Sequence, residues 1–359
     1  MIVNRRAVLD SVMGLSLGDA FGQRWFFRSG AEARREITAR RLPDLPRGGR
    51  TEVGQNLGPG QVWHWTDDTA MALGIVDVLL RDGEIVEERL ARVFADTYAA
   101  DSGRGYGAGM HELLPVLGAE PGTWRTAARA LFDGQGSLGN GAAMRVAPLG
   151  AWFGPDVEAT VEQATRSAHV THAHPEGIAG AVAVAVAAAL AVAGWTDHEA
   201  WWRQNILGAQ PEAPAEAAPS EVPAEGAQVL GEADLLREVA AHTPAGSTRD
   251  GVLRAADLPG HTPAWKAADI LGNGRRIRAD DTVPFALWCA AHHLGSLTEA
   301  LWTAAEGLGD VDTTCAITGG VVAARNGSGD MGRTGPAIAP GEWLYAVEVL
   351  PDWVYRGLR

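Results

Sequence analysis

Ile178–Trp195 reads IAGAVAVAVAAALAVAGW, and how this stretch folds decides the class of the protein. The V-x-V-x alternation from Val182 to Val186 suits a strand, but the alanine neighbours and the unbroken length favour a helix. A run this long also raises the question of a membrane span. It is dominated by alanine, so its hydrophobicity is weak, and neither a second such run nor a basic flank accompanies it. A central helix buried on all sides is therefore expected.

Outward from it, apolar residues keep helical spacing. Val8, Val12 and Leu15 recur at i, i+4 and i+7, and Ile85, Leu90 and Val93 with Phe94 follow the same 3.6-residue logic. The predicted helices are 5–17, 69–81, 84–99, 124–132, 157–168, 178–194, 284–294, 297–306 and 314–324. Together they make the fold class all-α. The low-complexity stretch 208–228, rich in Pro, Ala and Glu, cannot bury enough surface to order itself. It reads as an insertion within one domain spanning 1–359, because suggestive motifs lie on both sides of it.

The chain has 359 residues, 46% of them apolar, which suffices for a large core and excludes general disorder. A formal net charge of −14 disfavours nonspecific nucleic-acid or anionic-membrane binding. Two cysteines, Cys289 and Cys315, cannot form a disulfide framework or a C-x-x-C zinc site, so a reducing, cytoplasmic compartment is expected. Asn4-Arg5-Arg6 precedes an apolar stretch, but Asp10 interrupts it and no small-residue cleavage site follows.

Two acidic clusters each run straight into an apolar helix. Thr66-Asp67-Asp68-Thr69 precedes one, and Asp310-Val311-Asp312-Thr313-Thr314 precedes the other. Helix capping accounts for such residues, since carboxylates near a helix N-terminus gain about 0.3–1 kcal/mol from the dipole. Four carboxylates brought together would also be costly to desolvate without a cation, and all-oxygen donors suit Mg²⁺, Mn²⁺ or Ca²⁺ rather than zinc. Both readings stand on spacing alone.

Three glycine-rich segments, Gly18–Gly22, Gly103–Gly109 and Gly134–Gly141, lie next to helices. They are tight turns and C-caps, or loops whose N–H groups approach phosphates; none matches a Walker or dinucleotide fingerprint. In Thr171-His172-Ala173-His174, the two histidines are a ligand pair or partners in loop hydrogen bonds.

GLSLGDAFG, WTDDTAM, RGYGAGM, GQGSLGNGAAMRVAPLG, THAHPEGIAGA, TVPFALW and GDVDTTCAI occur in one order between residues 14 and 317, within a resemblance that spans 7–345. In these blocks the chain resembles the ADP-ribosylglycohydrolase family. The resemblance implies a compact orthogonal helical bundle, a binuclear Mg²⁺ or Mn²⁺ centre, and hydrolysis of the bond from ADP-ribose C1″ to an acceptor on a protein or small molecule. It implies that Thr66, Asp67 and Asp68 form one half of the metal site and Asp310, Asp312 and Thr313 the other, with Asp67 or Asp68 also handling the proton of the attacking water. Gly136, Ser137, Leu138, Gly139 and Asn140 match the loop around diphosphate and ribose. Gly105, Tyr106 and Gly107 match a loop near the adenosine half, and His174 lies in a block close to substrate. Asp101 is a candidate carboxylate nearby, and Tyr106 or Trp25 are candidate rings for stacking on adenine.

The chain departs from the family at Phe26, where many members carry Glu, and at Leu308-Gly309-Asp310 in place of Gly-Gly-Asp. An aromatic cannot accept a proton, so chemistry that needs that Glu is disfavoured and an arginine-type acceptor favoured. Two other classes fit parts of the pattern: a non-catalytic ADP-ribose-binding protein, and a binuclear phosphoester hydrolase.

Overall fold

A computed structural model describes residues 3–25, 28, 30–42, 62–202, 231–326 and 341–359. The 208–228 insertion and Phe26 lie outside the described residues. The first elements are α1 (Arg5–Gln23), α2 (Gly30–Thr38), α3 (Asp67–Asp82), α4 (Glu87–Ala100), α5 (Ala108–Ala119) and α6 (Trp124–Ala130). Then come α7 (Ala147–Phe153), α8 (Val157–His169), α9 (Pro175–Trp202), α10 (Glu232–His242), α11 (Ser247–Asp257) and α12 (Ala264–Leu271). The chain finishes with α13 (Ala279–His292), α14 (Leu297–Glu306), α15 (Val311–Asn326), α16 (Gly341–Ala346) and α17 (Asp352–Leu358). Among the described residues β-pairing is confined to two isolated bridges, Trp63 with Val347 and Gly139 with Arg278.

Each of the nine predicted segments falls on a helix. The deciding stretch is the body of α9, which packs against α7, α8, α13 and α15. Pro175–Ala193 is long and apolar enough to cross a membrane, yet 78% of that window is buried inside the protein. Alanine explains how: small side chains let neighbouring helices approach from several directions at once.

The most extensive helix pairing joins α1 to α15, and it corrects the reading of Gly18–Gly22. Those residues are not a loop; they are the last turns of α1. Gly14, Gly18 and Gly22 recur every four residues and face α15, where a Cβ on Gly18 would overlap the Cys315 carbonyl and one on Gly14 the Gly319 carbonyl. Close approach of the backbones carries the C-terminal turn of α1 to the start of α15. Asp19 and Asp312 therefore share one neighbourhood.

Candidate active site

Three helix ends supply the acidic cluster. Asp67 and Asp68 open α3, Asp310 and Asp312 open α15, and Asp19 comes from α1. Thr66 makes no side-chain cap to α3; Asp19 does that work from another helix. Asp19 Oδ2 accepts the N–H of Thr66 at 2.9 Å and of Thr69 at 3.1 Å, and the Thr69 hydroxyl at 2.6 Å. The Thr66 hydroxyl lies 2.8 Å from Asp19 Oδ1 and 3.1 Å from Asp68 Oδ2. On the other side, Thr313 N–H donates to Asp312 Oδ1 at 2.9 Å, and Asn140 Nδ2 donates to Asp310 Oδ2 at 2.7 Å.

Four of these carboxylates are buried, with Asp19 0% exposed, Asp67 8%, Asp68 2% and Asp312 9%, and Asp310 is half-buried at their edge. Burial, more than any partner, pushes all five carboxyls up. Asp19 rises to about 7, with Asp312 adding repulsion and the Thr66 and Thr69 hydrogen bonds opposing it. Asp67 rises to about 8, through burial and then the charges of Asp19 and Asp312, with Arg145 pulling back. Asp68, Asp310 and Asp312 also lie above the usual carboxylate range because of burial, to which neighbouring acids add at Asp68 and Asp310. Clustered acids that are shifted upward together mark a functional site more often than a structural one.

Among the described residues, no three His, Cys, Asp or Glu side chains are already gathered to hold an ion. Asp310 is engaged by Asn140, Asp312 by the Thr313 N–H, and Asp19 by Thr66 and Thr69. The donor set nevertheless fits a hard cation. Every donor is oxygen, and Asp68 Oδ1 is buried without a hydrogen-bond partner, an arrangement that costs free energy unless a charge approaches it.

The glycine loops adjoin this cluster. Asp67 N–H donates to the Arg104 carbonyl at 2.8 Å, and Gly105, at φ 94°, comes within contact range of Asp67. Ser137 is buried and its hydroxyl accepts the Gly139 N–H at 3.2 Å. Gly134 and Gly136 both have positive φ, and a Cβ on Gly136 would press on the backbone of Ala173–His174. His174 thus sits against the loop, with Nδ1 accepting the Glu176 N–H at 3.1 Å. His172, in contrast, is buried beneath it: its ring borders Gly139 and Gly141, and Nδ1 lies 2.7 Å from the Thr171 hydroxyl. Burial lowers His172 to about 3, so the ring is neutral at physiological pH.

Three expectations change. Asp101 is exposed, accepts the Gly103 N–H and pairs with Arg104 Nε at 2.9 Å, outside the cluster. Tyr106 is 5% exposed and edge-on to Tyr98, and Trp25 is packed against Phe21 and Trp302, so neither ring has a free face for adenine. The exposed apolar side chains at the loops are Phe132, at 55%, and Ile277, at 60%. Both occupy left-handed backbone, at φ 54°, where a β-branched residue is rarely found. Strain of that kind gathers at ligand sites.

Sequence reasoning also missed Asp19, Arg145 and the segment 272–278. Arg145 is fully buried, donates to the Ser167 carbonyl and the Thr171 hydroxyl, and lies over the Phe94 ring. Burial pulls its guanidinium down to about 9, and the Asp67 charge holds it up.

The site is thus a set of carboxylates from three helix ends, beside glycine-rich backbone loops, in an all-helical frame. The chain belongs to the ADP-ribosylglycohydrolase family, whose profile matches residues 3–356. It is 31% identical over 275 residues to the ADP-ribosylhydrolase ARH3 of Homo sapiens, covering 74% of this chain and 71% of that protein. Against ARH3 of Xenopus tropicalis it is 35% identical over 187 residues, 51% of this chain and 50% of the relative; the matched part thus spans about half of that protein. A solved structure described as an ADP-ribosylglycohydrolase-related protein complex shares the fold, with TM-score 0.54 and 22% identity over 99% of this chain and 96% of that one.

Proposed function

We propose that the chain hydrolyses the bond between ADP-ribose C1″ and an acceptor, on a protein or a small-molecule conjugate, with two Mg²⁺ or Mn²⁺ ions held by Thr66, Asp67, Asp68, Asp310, Asp312 and Thr313. The observation that carries this reading is the unpartnered Asp68 Oδ1 within a buried group of carboxylates that repel one another. When bound, such cations offset the carboxylate charge and polarise ribose hydroxyls and leaving group.

The remaining work falls to side chains and backbone. In the Gly136–Asn140 loop the backbone N–H groups of Ser137 and Leu138 hold the diphosphate, since those of Gly136, Gly139 and Asn140 are donated within the protein, and the loop near Gly105 and Gly107 orients the adenosine half. The exposed Phe132 ring takes the stacking role assigned earlier to Tyr106 or Trp25. Asp67 holds the attacking water and takes its proton as the C1″ bond breaks through an oxocarbenium-like transition state. Asp68 shares that role.

Arginine is the proposed acceptor. A guanidinium leaves as a base that regains its proton from water, which suits a chain with Phe26 where other members carry Glu. The proposed compartment is the cytoplasm, in keeping with two free, buried cysteines. A panel of ADP-ribosylated arginine and serine substrates, with and without Mg²⁺ or Mn²⁺, tests the reading. It expects cation-dependent release of ADP-ribose, faster from arginine. Release of AMP or phosphate instead would move the activity to phosphoester cleavage, and binding without turnover would make the protein a reader of ADP-ribose.

A further inference from the structure

Residues 272–278, between α12 and α13, touch both halves of the site. The Asn273 carbonyl accepts the Asp310 N–H at 3.0 Å, and the Ile277 carbonyl accepts the Asn140 N–H at 3.3 Å. Ala279 N–H, at the far end, donates to the Leu138 carbonyl at 3.1 Å. A single strap therefore orders the start of α15 and the loop carrying Ser137–Asn140.

One side chain closes the strap from behind. Asp281, 5% exposed, accepts the Arg276 backbone N–H on Oδ2 at 2.8 Å and the Arg276 guanidinium on Oδ1, at 3.0 Å from Nε and 2.9 Å from Nη2. Its backbone carbonyl accepts the Gly274 N–H at 2.8 Å. Gly272 and Gly274 have φ of 95° and 81°, and a Cβ on the second would collide with Asp310 Cβ. Ile277 is strained and mostly exposed, so its own packing does not hold the strap's shape. Hydrogen bonds do: those at Asp281 in its middle, with the Asn273 side-chain amide donating to the Gly307 carbonyl at one end and the Thr282 hydroxyl to the Arg278 carbonyl at the other.

We propose that Asp281, latched by Arg276, is a positioning residue that couples the two halves of the site: it sets the strap whose carbonyls hold Asp310 and Asn140 together. The identity of the ligands rests on the functional reading above; the coupling does not. The Arg276 side chain is 61% exposed while that of Asp281 is 7%, so Arg276→Met opens the latch from the solvent side and leaves the buried carboxylate its backbone hydrogen bond from Arg276 N–H.

The test compares the full chain with Arg276→Met, which removes the guanidinium and keeps the backbone bond, with Arg276→Lys, and with Asp281→Asn. Hydrogen exchange of the Asn140 and Asp310 amides is read without ligand, and calorimetry then gives the Kd of ADP-ribose and the half-saturating Mg²⁺ concentration. Asp281→Asn should speed exchange at both amides about tenfold and Arg276→Met several-fold, as local opening becomes easier. ADP-ribose and Mg²⁺ affinities should weaken together at nearly unchanged Tm, and Arg276→Lys should recover part of each, because it restores the charge but not the fork. Unchanged exchange at the two amides in both latch-opening variants overturns the proposal. Faster exchange with both affinities intact also overturns it. If the unmodified chain binds no ADP-ribose, the functional reading falls, and exchange together with Mg²⁺ saturation still decides the latch.

Discussion

The carboxylate half of the site and the glycine-loop half are held by different means. Helix packing sets the first: α1 and α15 approach until Gly18 lies against the Cys315 carbonyl, and Asp19 caps α3 from across that contact. Backbone hydrogen bonds between irregular segments set the second, with Ile277 and Phe132 strained and exposed above it. Charges that repel need a rigid frame, because a buried carboxylate escapes to water wherever the frame gives. The loop proposed to receive the diphosphate can be held more loosely.

Breaking the frame should have the largest effect. Gly18→Val places a branched side chain where even a Cβ overlaps backbone, so the expected cost is several kcal/mol, read as lost folding or a sharply lower Tm by circular dichroism. The same substitution at Gly103, whose nearest neighbour is the Asp101 side chain, should be far milder.

The double variant Asp310→Asn, Asp312→Asn separates charge from frame. It removes two buried acids that repel their neighbours, so the cation-free protein should melt higher than the unmodified one, while turnover falls by orders of magnitude and Mg²⁺ no longer raises Tm. A lower cation-free Tm would mean that these acids are capping groups first.

Beneath the loop, His172 supplies a pH test. Its folded-state value is depressed to about 3 against an ordinary 6.5, so the unfolded chain binds its proton first. The stability it contributes is present above pH 6.5 and is lost as pH falls from there toward 3. His172→Gln should flatten that limb of a Tm-versus-pH curve.

The smallest expected effect is at Ile277. Replacing it with Gly relieves left-handed strain worth about 1 kcal/mol and removes a side chain already 60% exposed. Tm should stay level or rise by a degree or two while ADP-ribose binding weakens, as measured by thermal melting and calorimetry.

Much of the carboxylate half was legible in the sequence because it is local. Asp67-Asp68 and Asp310-x-Asp312 stand directly before apolar helices, and periodicity located those helices. Asp19 was missed because its glycines read as a flexible turn; their four-residue spacing, Gly14, Gly18 and Gly22, was the available signal for a closely packed helix face. Tyr106 was expected at the substrate and is buried, since a glycine-flanked aromatic carries no mark of which side it faces. Asn273 meets the backbone of Asp310, far away in sequence, and Asp281 meets the backbone of Gly274 and Arg276 across an irregular segment; no helical or strand period announces either partnership. Helices α2, α5, α7, α10–α12, α16 and α17 were not predicted; α5 carries an internal Pro115, and several of the others are short.

The central claim is that the buried carboxylates are a divalent-cation site serving glycosidic hydrolysis. Turnover of ADP-ribosyl-arginine at increasing Mg²⁺ after exhaustive chelation, with Tm followed in the same samples, tests it most directly. No ADP-ribose release is expected in chelator, with activity and Tm rising together as Mg²⁺ is restored. Full turnover in chelator with a Tm indifferent to Mg²⁺ would contradict it.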